Sequence, residues 1–366
     1  MEKRKLSSLC LLEKGKQIDT DTLDDNKSFP YVNGGIKESG FYESYNTSGD
    51  TITISEGGAS CGFVNYRNDK FWCGCHCYRL TEFNVNFKYL YFALKANQKN
   101  IMDLRSGVAM PNIKKSRLED LIIKIDENAT KQDKIVEELS ELTECIDKEQ
   151  MAIIEFNELI KSRFIEMFGE PTLISDGHKF RECAKALVRG PFGSSLKKEY
   201  FVPEGIDTYK VYEQKHAIED NENIGTYYID KERYNRLKRF SIQENDIIMS
   251  CSGTIGKTHI FTKNAKKGII NQALLLIRLD PTVCNTIFFI NQMELITSLL
   301  STKGTAQVNI ASIKILGDMD FLLPPIKRQN EFASFVTQVD KLKFNAQKRI
   351  DLYQELLNKK MDEYFN

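Results

Sequence analysis

"KGTAQVNIASIK" (303–314) and "SGVAMPNIKKSR" (106–117) make one local statement twice in this 366-residue chain. Gly107 matches Gly304, Ala109 matches Ala306, Asn112 matches Asn309 and Ile113 matches Ile310, all at an offset of 197. With that offset fixed, residues 104–169 run without a gap against 301–366, setting Gln132 on Gln329, Ile153 on Ile350, Glu158-Leu159 on Glu355-Leu356 and Phe168 on Phe365. Upstream, "DTITISEGGASCGFVNY" (50–66) resembles "NDIIMSCSGTIGKTHIF" (245–261). Both predict an alternating apolar strand, a small-residue turn and a second strand. The chain is two copies of one design, a β-rich unit followed by a long helix, and its period is far too long for a solenoid.

Residues 130–168 and 327–366 contain neither Pro nor Gly. In the first, Leu139, Ile146, Ile153, Ile160 and Met167 recur every seven residues, with Ile135, Leu142 and Phe156 on the companion series and Glu149 and Arg163 interrupting it. In the second, Val336, Ile350 and Leu357 share one series and Phe332, Val339, Ala346 and Tyr353 the other. A sustained seven-residue repeat is a coiled-coil seam, and each helix would be roughly 57 Å long at 1.5 Å per residue. The bland reading sets each helix on its own domain. Matched lengths and registers, without an evident globular partner, favour the two helices packing on each other along Leu139, Ile146, Ile153, Ile160, Val336, Ile350 and Leu357. The division expected is 1–128, 129–169, 170–326 and 327–366, a mixed α+β architecture of two β-rich domains in pseudo-twofold repeat with two long helices. Such an object suits duplex DNA carrying two separated half-sites.

Composition agrees with an ordinary globular protein: 41% hydrophobic, 28% charged and zero formal net charge. The neutral total hides a polarity. Residues 130–168 hold five basic and ten acidic side chains, whereas 172–326 hold twenty and seventeen. A phosphate backbone feels the local field, not the sum. Nine cysteines in irregular positions fit a reducing cytoplasm better than a disulfide framework. The apolar run near the N-terminus is broken by Glu13 and Lys14, so neither secretion nor a membrane span is expected.

The residues resemble the specificity subunits of type I restriction–modification enzymes over nearly the whole chain. The resemblance rests on residues 31–66, "KFWCGCHCYRL" (70–80), "VRGPFGSSLKKEYF" (188–201), "KVYEQKHAI" (210–218) and "GDMDFLLPPIKRQNEF" (317–332), where Leu323-Pro324-Pro325 and Gln329 open the last helix. It implies a non-catalytic subunit that recognises a bipartite target in double-stranded DNA. Its helices would form an antiparallel pair that sets the half-site spacing and docks two methyltransferase subunits. Restriction subunits join them, and S-adenosylmethionine, ATP and Mg2+ belong to those partners, none to this chain. Two departures stand out. "KIDENATKQ" (124–132) keeps Gln132 without the Pro-Pro, and the first unit shows no counterpart of "RGPFGSS".

Apparent enzymatic motifs are weak. "GTIGKT" (253–258) has Cys251 where a phosphate loop needs Gly, and "THIFTK" after it reads as a strand rather than a helix. "EQK" (213–215) with Asp207 has no counterpart in the first copy, although two-metal hydrolysis needs converging carboxylates. No Asp/Asn-Pro-Pro-aromatic motif for adenine methylation is present. "WCGCHC" (72–77) would put Cys73, Cys75 and Cys77 on one face of a strand, a poor zinc geometry. The alternatives to a DNA reader are a self-sufficient methyltransferase or nuclease, and a coiled-coil scaffold.

Basic positions carry the expected DNA contacts. These are Lys114, Lys115 and Arg117, then Lys197 and Lys198, Lys215, the group Arg236, Lys238 and Arg239 in "KERYNRLKRF" (231–240), and Lys257. Lys and Arg on phosphates supply affinity and register; side chains at base edges supply sequence. The repeated Gly-x-Ala-x-x-Asn-Ile is expected to be a joint before each long helix. Gly107 and Gly304 would take backbone angles a side chain resists, and Asn112 and Asn309 would satisfy nearby backbone groups.

Overall fold

A computed structural model describes residues 1–107, 110–171, 177–252, 254–302 and 313–365. The chain divides into two compact units, one of Met1–Met151 with Ala346–Asn366 and one of Ala152–Asn345.

In the first unit, β1 (Glu2–Lys5) pairs with β9 (Ile122–Ile125). β2 (Leu11–Lys14), β5 (Thr51–Ser55), β6 (Val64–Arg67) and β8 (Cys77–Thr81) form an antiparallel sheet in the order β2-β8-β5-β6. β3 (Phe29–Val32) lies between β4 (Phe41–Tyr42) and a parallel β7 (Trp72–Cys73). α1 (Phe87–Ala96), α2 (Gln98–Asp103) and α3 (Lys115–Glu119) precede α4, the central helix Ala129–Phe168. The second unit repeats the plan. β10 (Ala184–Arg189), β13 (Ile247–Ser250), β14 (Thr258–Ile260) and β16 (Leu274–Leu279) form the sheet β10-β16-β13-β14. β11 (Thr208–Tyr212) lies between β12 (Tyr228–Asp230) and a parallel β15 (Gly268–Ile270). α5 (Gln214–Ile218), α6 (Lys231–Arg236), α7 (Thr286–Thr302) and α8 (Ile313–Asp318) belong to this unit, and the last helix spans Ile326–Phe365.

The strand pairs read from the two hairpin sequences form as β5–β6 and β13–β14. Each hairpin opens on a residue with positive φ, Asp50 at 58° and Asn245 at 64°. Asp and Asn tolerate that region better than most side chains.

Within the first unit the central and C-terminal helices run antiparallel. Glu138 pairs with Lys360 at 2.9 Å, and eleven residues on Glu149 pairs with Arg349, eleven residues back. The seam is not separate from the globular core, as its heptads alone suggested. Ile135, Leu139, Ile146 and Leu357 join one apolar cluster with Leu12, Ile52, Leu90 and Ile123 from the sheets and α1. Phe365 meets Tyr89 edge-on at 5.1 Å. In the second unit Ile160, Phe164, Phe332 and Val336 likewise share a cluster with Ile247, Leu275 and Phe288. The reason is chain order: each helix leaves its own β-rich unit through a short connection, so the sheet's covering helix and the long helices fill one interior. Ile153 and Ile350 are half-buried, while the other five seam residues named from sequence are buried.

Two further sequence expectations are corrected. Cys73, Cys75 and Cys77 do not share a strand, because the chain leaves β7 at Cys73, turns through Gly74–His76 and starts β8 at Cys77. Asn33 breaks the strand there: its Oδ1 accepts the His76 N–H at 3.0 Å and lies where a Cβ on Gly74 would be. Cys73 and Cys77 are buried, and the Cys75 thiol donates to Gln17.

The repeated Gly-Asn-Ile element is a clasp rather than a joint in its first copy. Gly107 does take φ of 95°, with Met110 O 2.9 Å from where a Cβ would stand. Asn112, however, works through its main chain, exchanging two bonds with Ser106 at 2.8 and 2.9 Å while its side chain is exposed. Its neighbours hold the β5–β6 turn: Gly58 N–H donates to Pro111 O, and Ile113 N–H to Glu56 O. α3 and β9 intervene before the central helix. Ala109 and the second copy's Gly304, Ala306, Asn309 and Ile310 lie outside the described residues.

The central helix starts without Pro-Pro because Asn128 serves instead, its side chain accepting from Lys131 N–H at 3.1 Å.

Candidate nucleic-acid interface

The same loop edge is built in both units, and two glycines make it possible. Gly190 follows β10 and donates to Leu274 O at 3.0 Å; Gly15 follows β2 and donates to Cys77 O at 3.0 Å. A Cβ on Gly190 would stand 1.7 Å from Asn271 O, and one on Gly15 2.2 Å from Gly74 O. Only glycine lets the outgoing strand cross the connector between the two sheets this closely. "KGKQID" (14–19) therefore occupies the place of "RGPFGSS" (189–195), correcting the expectation that the first unit has no counterpart. One shared glycine is too small a sequence signal to align.

The connector is fixed alike, with Gly74 N–H donating to Val32 O at 2.8 Å and Asn271 N–H to Tyr212 O at 2.9 Å. Beside it stands the hairpin turn. Ser55 N–H donates to Phe63 O and Gly62 N–H to Ser55 O, and in the second unit Ser250 N–H donates to Lys257 O and Gly256 N–H to Ser250 O. Gly62 and Gly256 have φ of 87° and 82°.

On this common frame the exposed groups differ. The first unit presents Lys14 and His76 beside Glu56, with exposed Gln17 and half-buried Asn33 on the same edge. The Glu56 carboxylate accepts from Lys14 Nζ at 2.6 Å and from the Tyr78 hydroxyl at 3.2 Å. The second presents Phe192, 87% exposed, with Ser252, Thr254, Lys257 and Gln272. Gln214, at the start of α5, reaches the turn: its Nε2 donates to Ser252 O, and Ser252 Oγ donates to Gln214 Oε1 at 3.3 Å. Arg189 backs this edge beside the Cys251 thiol, whose pKa burial pushes up, and its buried Nη1 has no hydrogen-bond partner among the described residues. Amides, hydroxyls and cations of this kind match base-edge donors and acceptors. Sequence reasoning fixed on charge and missed Gly15, Gly190, Asn33, Gln214 and Ser252.

The ten basic residues named from sequence fall into three places. Lys114, Lys115 and Arg117 surround α3, where Lys115 pairs with Glu119 and Arg117 donates to Leu104 O. Lys257 and Lys215 flank the second unit's hairpin turn and α5, and Lys215 pairs with Glu213 at 3.1 Å. Lys197 and Lys198 belong with Arg236, Lys238 and Arg239 over the small sheet, where Leu196 packs on Leu237 and the Arg233 guanidinium covers the Tyr200 ring at 3.7 Å. Arg236 pairs with Glu232. All ten except half-buried Lys215 are exposed. The turn at 253–258 leads into β14, not a helix, so the helix N-terminus that a phosphate loop uses is not there.

Buried polar groups stiffen the second unit. His216 is fully buried; its Nδ1 accepts from Glu213 N–H at 2.9 Å and its Nε2 donates to Ile224 O at 2.8 Å, which describes a neutral ring. Burial holds its pKa below the ordinary value. Lys210, also buried, donates to Glu222 O at 2.7 Å, and burial lowers its pKa. Among the described residues no His, Cys, Asp and Glu grouping fit for a metal ion occurs, and no helix is long and apolar enough to cross a membrane.

Two β-rich units of one plan, each with a polar loop edge and each closed by long helices, define a protein with one candidate interface built twice. Residues 1–157 and 205–354 match the family described as the type I restriction modification DNA specificity domain, and the chain belongs to that family. S.MgeORF438P of Mycoplasma genitalium, named for a type I specificity subunit, is 32% identical over 165 residues, 44% of this chain and 43% of its own. S.MpnORF638P of Mycoplasma pneumoniae, similarly named, is 36% identical over 141 residues, 38% of this chain and 37% of its own. The match thus spans about two fifths of the length of these curated relatives. S.HindORF215P of Haemophilus influenzae, named for a type I restriction enzyme specificity subunit, is 24% identical over 90% of this chain and 88% of its own. The fold is similar to the crystal structure of the type I restriction–modification S subunit from M. genitalium, with a TM-score of 0.57 and 20% identity over 100% of this chain and 96% of that one.

Proposed function

We propose that the chain is the non-catalytic DNA-specificity subunit of a cytoplasmic type I restriction–modification complex, each β-rich unit reading one half of a bipartite duplex target. The observation that carries this reading is the loop edge built twice on one frame with different exposed side chains, as two readers of different sequences require. Lys114, Lys115, Arg117, Lys197, Lys198, Lys215, Arg236, Lys238, Arg239 and Lys257 contact phosphates, and the loop edges contact bases. The central and C-terminal helices dock two methyltransferase subunits, with which restriction subunits assemble. S-adenosylmethionine, ATP and Mg2+ serve those partners.

The test begins with the purified chain. Salt-dependent binding to duplex DNA, without methyl transfer or cleavage, is expected. Catalysis by the chain alone would establish the self-sufficient enzyme instead, and salt-insensitive indifference to DNA would establish the scaffold. Mapping modified adenines in cells carrying the assembled complex then reads out the two half-sites.

A further inference from the structure

Each four-stranded sheet ends in an edge strand, β6 or β14, and the two edges are finished differently. In the first unit Val64 turns its main chain away from β5. Its N–H donates to Gln98 Oε1 at 3.0 Å, its carbonyl accepts from Lys95 Nζ at 3.0 Å, and Gln98 Nε2 donates to Gly62 O at 2.7 Å. The covering helices latch the edge shut. Lys95 and Gln98 stand nine and twelve residues after Asn86, the cap of α1. The same count from Asn285, which accepts from the first N–H groups of α7, reaches Glu294 and Thr297. An acid stands where the latching ammonium stood, and the Thr297 hydroxyl turns back to Met293 O at 2.8 Å.

Thr258 is the counterpart of Val64, since Ser250 N–H donates to Lys257 O as Ser55 N–H donates to Phe63 O. Alternation along an antiparallel strand then points the N–H and C=O of Thr258 and Ile260 outward. Among the described residues nothing bonds to those groups, and both residues line a cavity of about 1070 Å³. Ile255, Ile290, Glu294 and Asp220, the last bonded to His259 at 2.8 Å, line it too, with Lys257 the one lysine among its described walls. Glu294 makes no ion pair among the described residues; the protein around its exposed side chain pushes the carboxyl pKa up, against the pull of the Lys257 and Lys343 ammoniums.

We propose that the β14 edge is a docking site for an extended, Lys- or Arg-bearing segment of a partner protein, which adds to the sheet as a fifth strand. Outward N–H and C=O groups at alternate residues match an extended backbone. A cation from that segment would bond the Thr258 carbonyl, as Lys95 bonds Val64, and neutralise Glu294. Ile255 and Ile290 offer the apolar wall for alternate side chains. The carboxylates of Glu294 and Asp220 disfavour a phosphate backbone along Thr258–Ile260, beyond the hairpin turn to which Lys257 belongs, so the occupant there is a peptide and not DNA.

The probe is a displayed library of random heptapeptides selected on the full-length chain, the enriched peptides being remade with a fluorophore for anisotropy titration. The expected result is enrichment of extended peptides carrying Lys or Arg. Their affinity should fall about tenfold or more in Glu294→Lys, which recreates the first unit's latch, and in Thr258→Pro, which removes the outward donor. Glu294→Lys should unfold at the parent temperature and bind duplex DNA as the parent does. If Thr258→Pro does not fold, Glu294→Lys decides alone. No enrichment of basic peptides, peptides that bind Glu294→Lys unchanged, or peptides displaced by random-sequence duplex DNA would each overturn the proposal.

Discussion

Gln329 Oε1 accepts the main-chain N–H of Asn285 at 2.8 Å, while its Nε2 donates to Pro324 O and Val283 O at 2.7 and 2.9 Å. Gln132 does the same in the first unit, accepting from Asn86 N–H at 3.1 Å and donating to Asp126 O. Each glutamine ties the start of a long helix to the residue that caps the helix covering the sheet. Both amides are buried.

Gln329→Ala leaves several buried main-chain groups unpaired, so it should cost about 1–3 kcal/mol. Gln347→Ala, at an exposed position of the same helix, should cost less than about 0.5 kcal/mol. Urea unfolding of both variants checks the contrast, and equal stabilities would deny the glutamine its structural part.

Gly190→Ala and Gly15→Ala should each force apart a strand end and its connector, because the new Cβ meets a main-chain oxygen inside contact distance. A loss of about 1–3 kcal/mol is expected, with weakened binding of one half-site per variant. Titration against duplexes carrying single half-sites distinguishes them; weakening of both half-sites by either variant would contradict the assignment of one edge to each.

The second unit should lose stability in mild acid through His216. Its folded pKa is depressed below 6.5, so below 6.5 the unfolded chain binds a proton the folded chain refuses. Stability is therefore fully present above 6.5 and falls as pH drops beneath it. Unfolding curves between pH 8 and pH 5 measure the slope, which His216→Gln should flatten in that window.

Asp246, 1% exposed, accepts from Arg278 Nε and Nη2 at 2.7 Å each and from Gln243 N–H at 2.7 Å. Asp246→Ala strands a guanidinium and should cost about 3 kcal/mol. Thermal unfolding compared with Arg278→Ala and the double variant gives the coupling.

Inserting one heptad coordinately into both long helices should lengthen the gap between half-sites and leave each half-site's bases unchanged. The motif of modified adenines from such a variant is the readout, and an unaltered gap would remove the helices' role as a spacer.

The sequence by itself determined what is periodic or local: the 197-residue repeat, the two hairpins, and the helices Ala129–Phe168 and Ile326–Phe365 with their seven-residue seams. Those features follow from side-chain spacing along one element, which needs no knowledge of neighbours. Identity at Gln132 and Gln329 was visible, yet their role was not, since their partners lie 46 and 44 residues away. Tertiary structure alone decided where the loop edges lie. Gly15 and Gly190 matter because a carbonyl from a distant connector passes where a Cβ would be, and no spacing encodes that approach. It also merged the helical seams into the two cores, broke the cysteine strand at Asn33, and, among the described residues, put no counterpart of the Lys95 and Gln98 latch on β14. A lysine and a glutamate nine residues after a helix cap look like interchangeable surface charges in the chain. Only the tertiary structure shows that Lys95 reaches the Val64 carbonyl at 3.0 Å, whereas Glu294 makes no ion pair among the described residues.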